Sequence, residues 1–184
     1  MKFINVVGTS AAGKTTFARQ LAQKLGLSYI EMDDLFWLDD WQETPDHEFF
    51  AKLQSQIDQA PRGWVLDGNY SRTLDLKLKY IDTIIWLDYS FSLNLYRSVK
   101  RAISRAVTQK RLWENSNNRE SFKTSFLSKD SIILWMITHH AQNRKKYLAM
   151  MNDARYQHIR FIRLTSPKQT AVFLNEMDTH LFNL

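Results

Sequence analysis

The sequence predicts an α/β fold built on a five-stranded, mainly parallel sheet with helices on both faces. Short β-branched and aliphatic runs alternate with longer stretches of helical periodicity along the whole chain, as they do where crossover helices join parallel strands. The first four runs lack a clean in/out alternation, which marks strands covered on both faces. The first run also leads into a glycine-bounded loop and then an amphipathic segment, FARQLAQKL, the order of a strand, a phosphate-cradling loop and a helix.

The elements follow in chain order. Strands are expected at FINVV (3–7), SYIEM (28–32), WVLDG (64–68), TIIWLD (83–88) and IRFIRL (159–164). Helices fill the gaps at 14–25, 46–59, 92–107, 130–151 and 167–182, the last opened by Ser166 as a cap and Pro167 in the first helical position. At 184 residues the chain has the length of one domain, and about 70% of its unfolded surface can be buried. A single unit over 1–184 is expected, with an acceptor-side lobe near 33–62 and a lid near 108–128. The segment KRLWENSNNRES (110–121) is polar and asparagine-rich, so it reads as a mobile lid or as a plain surface loop.

Composition narrows the function classes. The longest apolar runs, such as IIWL at 84–87, are too short to cross a bilayer, and MKFINVV reads as a first strand rather than a leader. A cytoplasmic monomer is expected. With no cysteine, disulfides and thiolate metal sites are excluded, so any metal is held by oxygen or imidazole. The net charge of +6 gathers at Arg97, Lys100, Arg101, Arg105, Lys110, Arg111 and at Arg144 to Lys146, and such a patch favours anionic ligands.

Four constellations carry chemistry. Gly8-Thr9-Ser10-Ala11-Ala12-Gly13-Lys14-Thr15, followed by Thr16, fits the P-loop pattern G-x-x-x-x-G-K-[ST]. Its backbone N–H groups, with those of Ser10, Ala11 and Ala12, can cradle phosphate oxygens; Lys14 reaches the β and γ phosphates and Thr15 can ligate Mg²⁺. Asp67-Gly68-Asn69-Tyr70-Ser71-Arg72-Thr73 follows the third strand. At the carboxyl end of a parallel strand Asp67 points into the ligand crevice, where it can orient a magnesium-bound water, while Arg72 suits an anionic acceptor; a simple turn is the plainer reading.

Glu31-Met32-Asp33-Asp34-Leu35-Phe36-Trp37 ends the second strand. One carboxylate there, with Asp33 the candidate base, can take a proton from an attacking hydroxyl or hold a metal-bound water; helix capping by Asp33 or Asp34 is the plainer reading. Phe36, Trp37 and Trp41 line an acceptor pocket or pack in the core. Finally Arg97, Arg101 and Arg105 share one helix face, with Leu95, Val99, Ala102, Ile103 and Ala106 expected on the buried side. Phosphate contact or solvation accounts for these arginines, and Arg111 and Arg119 flank the lid segment.

Nearly the whole chain resembles the adenylate-kinase-like P-loop proteins known as DNA topology modulation proteins. The P-loop, Met32 to Trp37, Asp67 to Thr73 and Ile84 to Asp88 carry that resemblance, and Leu112-Trp113 through Ser121 is similar to a lid motif of one branch. More distantly the chain is similar to nucleoside monophosphate kinases, whose acceptor motif falls on Asp67-Gly68 and Arg72-Thr73. Their paired helix arginines fall on Arg97 and Arg101, and their adenine loop on Leu164 to Pro167. The resemblance implies a P-loop three-layer sandwich with a helical lid, ATP and Mg²⁺ as cofactors, and donor contacts from Arg97, Arg101, Ser166 and Pro167. Asp33, Trp37, Asp67, Gly68, Asn69 and Arg72 would face the acceptor; Thr15, Asp33 and Asp67 would hold the metal; Lys14, Asp33, Arg101 and Arg119 would be catalytic. A small-molecule kinase acting on a nucleoside monophosphate or a hydroxyl metabolite is expected. The alternative is an ATP-binding, nucleic-acid-associated regulator, although no helix-turn-helix, zinc-finger or RNA-recognition signature is present.

Overall fold

The computed structural model describes residues 1–108, 111–113, 116–120 and 131–181. Its elements run β1 (Phe3–Gly8), α1 (Lys14–Leu25), β2 (Ser28–Glu31), α2 (Met32–Phe36), α3 (Asp46–Asp58), β3 (Trp64–Asp67) and α4 (Leu74–Leu78). They continue as β4 (Thr83–Leu87), α5 (Phe91–Thr108), α6 (Ile132–Asn152), β5 (Arg160–Leu164) and α7 (Pro167–Leu181). The strands form one five-stranded sheet in the order β2-β3-β1-β4-β5, every neighbouring pair parallel. The expected lid at 108–128 includes 109–110, 114–115 and 121–128, which lie outside the described residues.

Successive strand residues face opposite sides, so the sheet feeds two cores. Trp64 and Leu66 of β3 and Ile84 and Trp86 of β4 pack with Phe49, Leu53 and Ile57 of α3 and with Tyr147 and Met150 of α6. On the other face Ile4 and Val6 of β1, Val65, Ile85 and Leu87 meet Phe17, Ala18 and Leu21 of α1 and Leu174 of α7. Each fully buried side chain of this size stabilises the fold by roughly 1.5–3 kcal/mol. The helix layers on both faces therefore lock the carboxyl ends of β1 and β3 side by side, with Val6 in register with Asp67.

Three features depart from the sequence reading. The single-turn helices α2 and α4 are too short to show a 3.6-residue period. In α5 the buried stripe is Asn94, Ser98 and Ala102, whereas Ile103 and Val107 are 49% and 78% exposed. The helix lies with small and polar side chains inward, Ala102 among them as expected, while Leu95 and Val99 are half-buried and the arginines turn toward the loop after β1.

Phe49 is fully buried and stacks with Phe36 and Tyr70. Phe49→Ala should lower the urea-unfolding free energy by about 3–5 kcal/mol, whereas Tyr96→Ala, at 64% exposure, should stay within about 0.5 kcal/mol of wild type.

Candidate functional site

The loop between β1 and α1 is shaped by backbone geometry. Gly13 adopts φ 93° at the N-cap of α1, and no side chain caps that helix. A left-handed conformation favours glycine, and it leaves the N–H groups of the first turn directed at whatever anion the loop holds. The loop is also fastened from β3: the Gly8 N–H donates to Asn69 Oδ1 at 3.0 Å, and Asn69 Nδ2 donates to the Gly8 carbonyl at 2.8 Å. Gly68 is needed beside it, since a Cβ there would lie 2.8 Å from the Met32 Cβ.

Lys14, Thr15 and Asp67 form the centre. Thr15 Oγ1 donates to Asp67 Oδ2 at 2.6 Å, and Asp67 Oδ1 is buried without a partner. Burial pushes the Asp67 carboxyl up to about 6, against the opposing pull of Lys14 and the Thr15 hydrogen bond. Lys14 donates to the Thr9 carbonyl at 3.3 Å. Desolvation lowers its pKa, opposed by the charges of Asp67 and Asp33 and reinforced by that of Arg101. Tyr29 Oη approaches both Glu31 Oε2, at 3.0 Å, and Asp67 Oδ2, at 3.3 Å, while Arg19 Nη2 donates to Glu31 at 2.7 Å.

The arginine row of α5 reaches this loop. Arg97 Nη1 donates to the Ala12 carbonyl at 3.3 Å and lies over the Tyr89 ring; Arg101 Nη2 donates to Ser10 Oγ at 2.8 Å. The Arg101 Nε is buried with no partner, and burial, then Arg105, lowers the pKa of its guanidinium. Arg105 instead pairs with Glu120 at 2.6 Å. Arg119 is exposed, and no hydrogen bond among the described residues ties it to the loop.

These vacant valences fit the expected ligands. An unpartnered cationic N–H beside a half-buried lysine suits phosphate oxygens. The unpartnered Asp67 oxygen beside the Thr15 hydroxyl suits Mg²⁺, which takes few protein ligands and completes its shell with phosphate and water. Among the described residues there is no group of three or more His, Asp or Glu side chains that could hold a metal by itself.

Beyond the end of β2, Tyr70 Oη donates to Asp33 Oδ1 at 2.6 Å. Burial, then the Asp33 charge, raises the Tyr70 pKa, so the phenol stays a donor. Phe36, Trp37, Trp41 and Trp113 form an edge-to-face ladder with centroid spacings of 4.9, 5.6 and 5.8 Å. Arg72 is paired with Asp46 at 2.8 Å and Glu43 at 3.5 Å and sits over the Phe36 ring. At the far end of the sheet Ser166 accepts from the Gln169 N–H and thereby caps α7, ahead of Pro167.

Tyr29 escaped the sequence reading, and Glu31 entered it only as the first residue of the Glu31–Trp37 segment. The available signal was positional: in a parallel sheet with β2 beside β3, Glu31 stands opposite Asp67, and Tyr29 shares its face.

Comparison with known proteins agrees with this geometry. The family model described as shikimate kinase matches residues 10–54, which hold most of the P-loop, α1, β2, α2 and most of α3. A solved shikimate kinase from Acinetobacter baumannii, in complex with shikimate, superposes with a TM-score of 0.52 over 100% of this chain and 94% of that one, at 14% identity. The fold is P-loop kinase-like. A Bacillus subtilis (strain 168) protein named uncharacterized protein YqaC is 24% identical over 107 residues, 56% of this chain, and the match spans 58% of that relative. Among the described residues no helix is long and apolar enough to cross a membrane.

The raised Asp67 pKa fixes a sign. In the folded protein it lies above the unfolded value, so its contribution to stability is fully present below about pH 4 and is lost as pH rises through about 6. Asp67→Asn removes that loss. In urea melts the variant should gain up to about 3 kcal/mol over wild type at pH 8 relative to the difference between them at pH 4.

Proposed function

We propose that the protein is a small-molecule kinase that transfers the γ-phosphoryl group of ATP to a hydroxyl-bearing acceptor. The carrying observation is the placement of Asp33. Its carboxylate lies within the electrostatic reach of Lys14 and Arg101 at the P-loop, yet it is held from the acceptor side by the Tyr70 hydroxyl. A carboxylate so placed serves as general base for a hydroxyl.

The acceptor O–H gives its proton to Asp33 as its oxygen bonds to the γ-phosphorus. The bond between that phosphorus and the β–γ bridging oxygen breaks, and ADP leaves. Backbone N–H groups from Ser10 to Thr16, chiefly those of Ala11, Gly13, Lys14 and Thr15, hold the phosphates together with Arg97. Lys14 and Arg101 stabilise the charge that develops on the transferring group, and Arg119, exposed on the neighbouring loop, supplies a further guanidinium. Thr15 and Asp67 would hold Mg²⁺ directly, with Asp33 as an outer partner; when bound, the ion neutralises phosphate charge. Ser166 and Pro167 border the donor base.

Trp37, Gly68 and Asn69 wall the acceptor pocket. A phosphate acceptor such as a nucleoside monophosphate is less well suited, because Asp33 would repel it and Arg72 is already paired with two carboxylates. The match of residues 10–54 to a shikimate kinase model supports the hydroxyl reading.

ADP release from Mg-ATP against a panel of polyols, hydroxy acids, sugars, nucleosides and nucleoside monophosphates tests the proposal. Acceptor-dependent turnover should fall by at least about 10²-fold in Lys14→Ala. In Asp33→Asn, kcat should fall by about 10²–10⁴. Turnover of a nucleoside monophosphate that Asp33→Asn leaves within about threefold would remove Asp33 as base and make the acceptor a phosphate. The absence of any acceptor-dependent ADP release would overturn the kinase reading.

A further inference from the structure

Two loops far apart in sequence are laced together beside the acceptor pocket. Asn118 is 1% exposed. Its Oδ1 accepts from the Trp41 N–H at 2.8 Å, its Nδ2 donates to the Leu38 carbonyl at 2.8 Å, and its own carbonyl accepts from the Leu112 N–H at 3.1 Å. Asn117 repeats the pattern one residue earlier. Its Oδ1 accepts from the Asp40 N–H at 3.0 Å, its Nδ2 donates to Asp40 Oδ1 at 3.2 Å, and its N–H donates to Asp39 Oδ1 at 2.7 Å.

The loop so held is one that the chain does not adopt cheaply. Asp40 and Trp41 have φ of 56° and 60°, a left-handed pair without glycine, and such residues persist only where their surroundings hold them. Asn117 and Asn118 receive the N–H groups of those two strained residues. The clasp also presses Trp41 between Trp37 and Trp113, which completes the ring ladder that begins at Phe36. Two residues further on, Glu120 pairs with Arg105, in the arginine row whose other members touch the P-loop.

We propose that Asn118 is a positioning residue for the acceptor: it holds the strained Leu38–Trp41 loop, and with it the Trp41 wall of the pocket, from a segment anchored to the donor-side helix. This rests on the kinase reading, in which the face beyond Asp33 and Trp37 receives the acceptor. Loss of the Asn118 side chain frees Trp41 while the P-loop stays as it is.

Amide hydrogen exchange at Trp41, followed by NMR on the full chain with Mg-ATP bound, tests the proposal alongside calorimetric ATP affinity. Asn118→Ala should speed exchange of the Trp41 N–H by about tenfold or more, with ATP affinity and the urea midpoint close to wild type. Asn118→Asp keeps the acceptor oxygen and, once its carboxyl is protonated at low pH and can donate to Leu38, should restore much of the Trp41 protection, an outcome that general loosening would not produce. With whichever acceptor the panel identifies, Asn118→Ala should raise the acceptor KM about tenfold and leave the ATP KM in place. Unchanged Trp41 protection in Asn118→Ala, or equal losses of acceptor and ATP binding, would overturn the proposal. Should wild-type protein turn over no acceptor, the kinase reading falls by itself, and the exchange and affinity data still decide whether Asn118 holds Trp41 independently of the donor site.

Discussion

The pairing of β1 with β3 is the constraint on which the site depends. Parallel register sets Val6 against Asp67, so the chain leaves both strands at the same edge of the sheet, with one exit forming the P-loop and the other the Asp67–Arg72 segment. Asn69 then closes two hydrogen bonds on Gly8, and Thr15 closes one on Asp67. Strand order does the rest. With β4 on the other side of β1, the connections diverge above the middle of the sheet, and a crevice at such a point is where open α/β sheets bind ligands.

Around that junction the charges are set before any ligand arrives. Lys14 and Arg101 both sit where desolvation disfavours their charged forms, and Asp67 is pushed the opposite way by the same cause. Groups of both signs thus share a partly desolvated site without forming the bidentate pairs that would quench them. Oriented charge of this kind needs no rearrangement when a polyanion enters. Arg72, Arg105 and Arg163 contrast with it, each tied to carboxylates.

Much of this was legible in the sequence because it obeys local rules. Strands buried on both faces read as plain aliphatic runs, and all five lie within a residue or two of the expected bounds. The P-loop is legible because its glycines and lysine serve one local geometry. Legibility fails where partners are distant in sequence. Nothing near Arg72 reveals that Asp46 and Glu43 meet it, and nothing near Asn118 points to Leu38. The inward face of α5 was read correctly at Ala102 and missed at Asn94 and Ser98. Aliphatic spacing normally marks the buried side, but here the arginines are turned toward the P-loop and Asn94, Ser98 and Ala102 toward the body.

That seating makes α5 a bracket for the loop after β1. Asn94, Ser98 and Ala102 face the body of the fold, and the buried Asn94 amide donates to the Tyr89 carbonyl near the start of the helix. The hydrogen bonds from Arg97 to Ala12 and from Arg101 to Ser10 then tie the loop to the same helix from positions one turn apart. The shape of the loop is thus held from two directions, by Asn69 beyond β3 and by the arginines of α5.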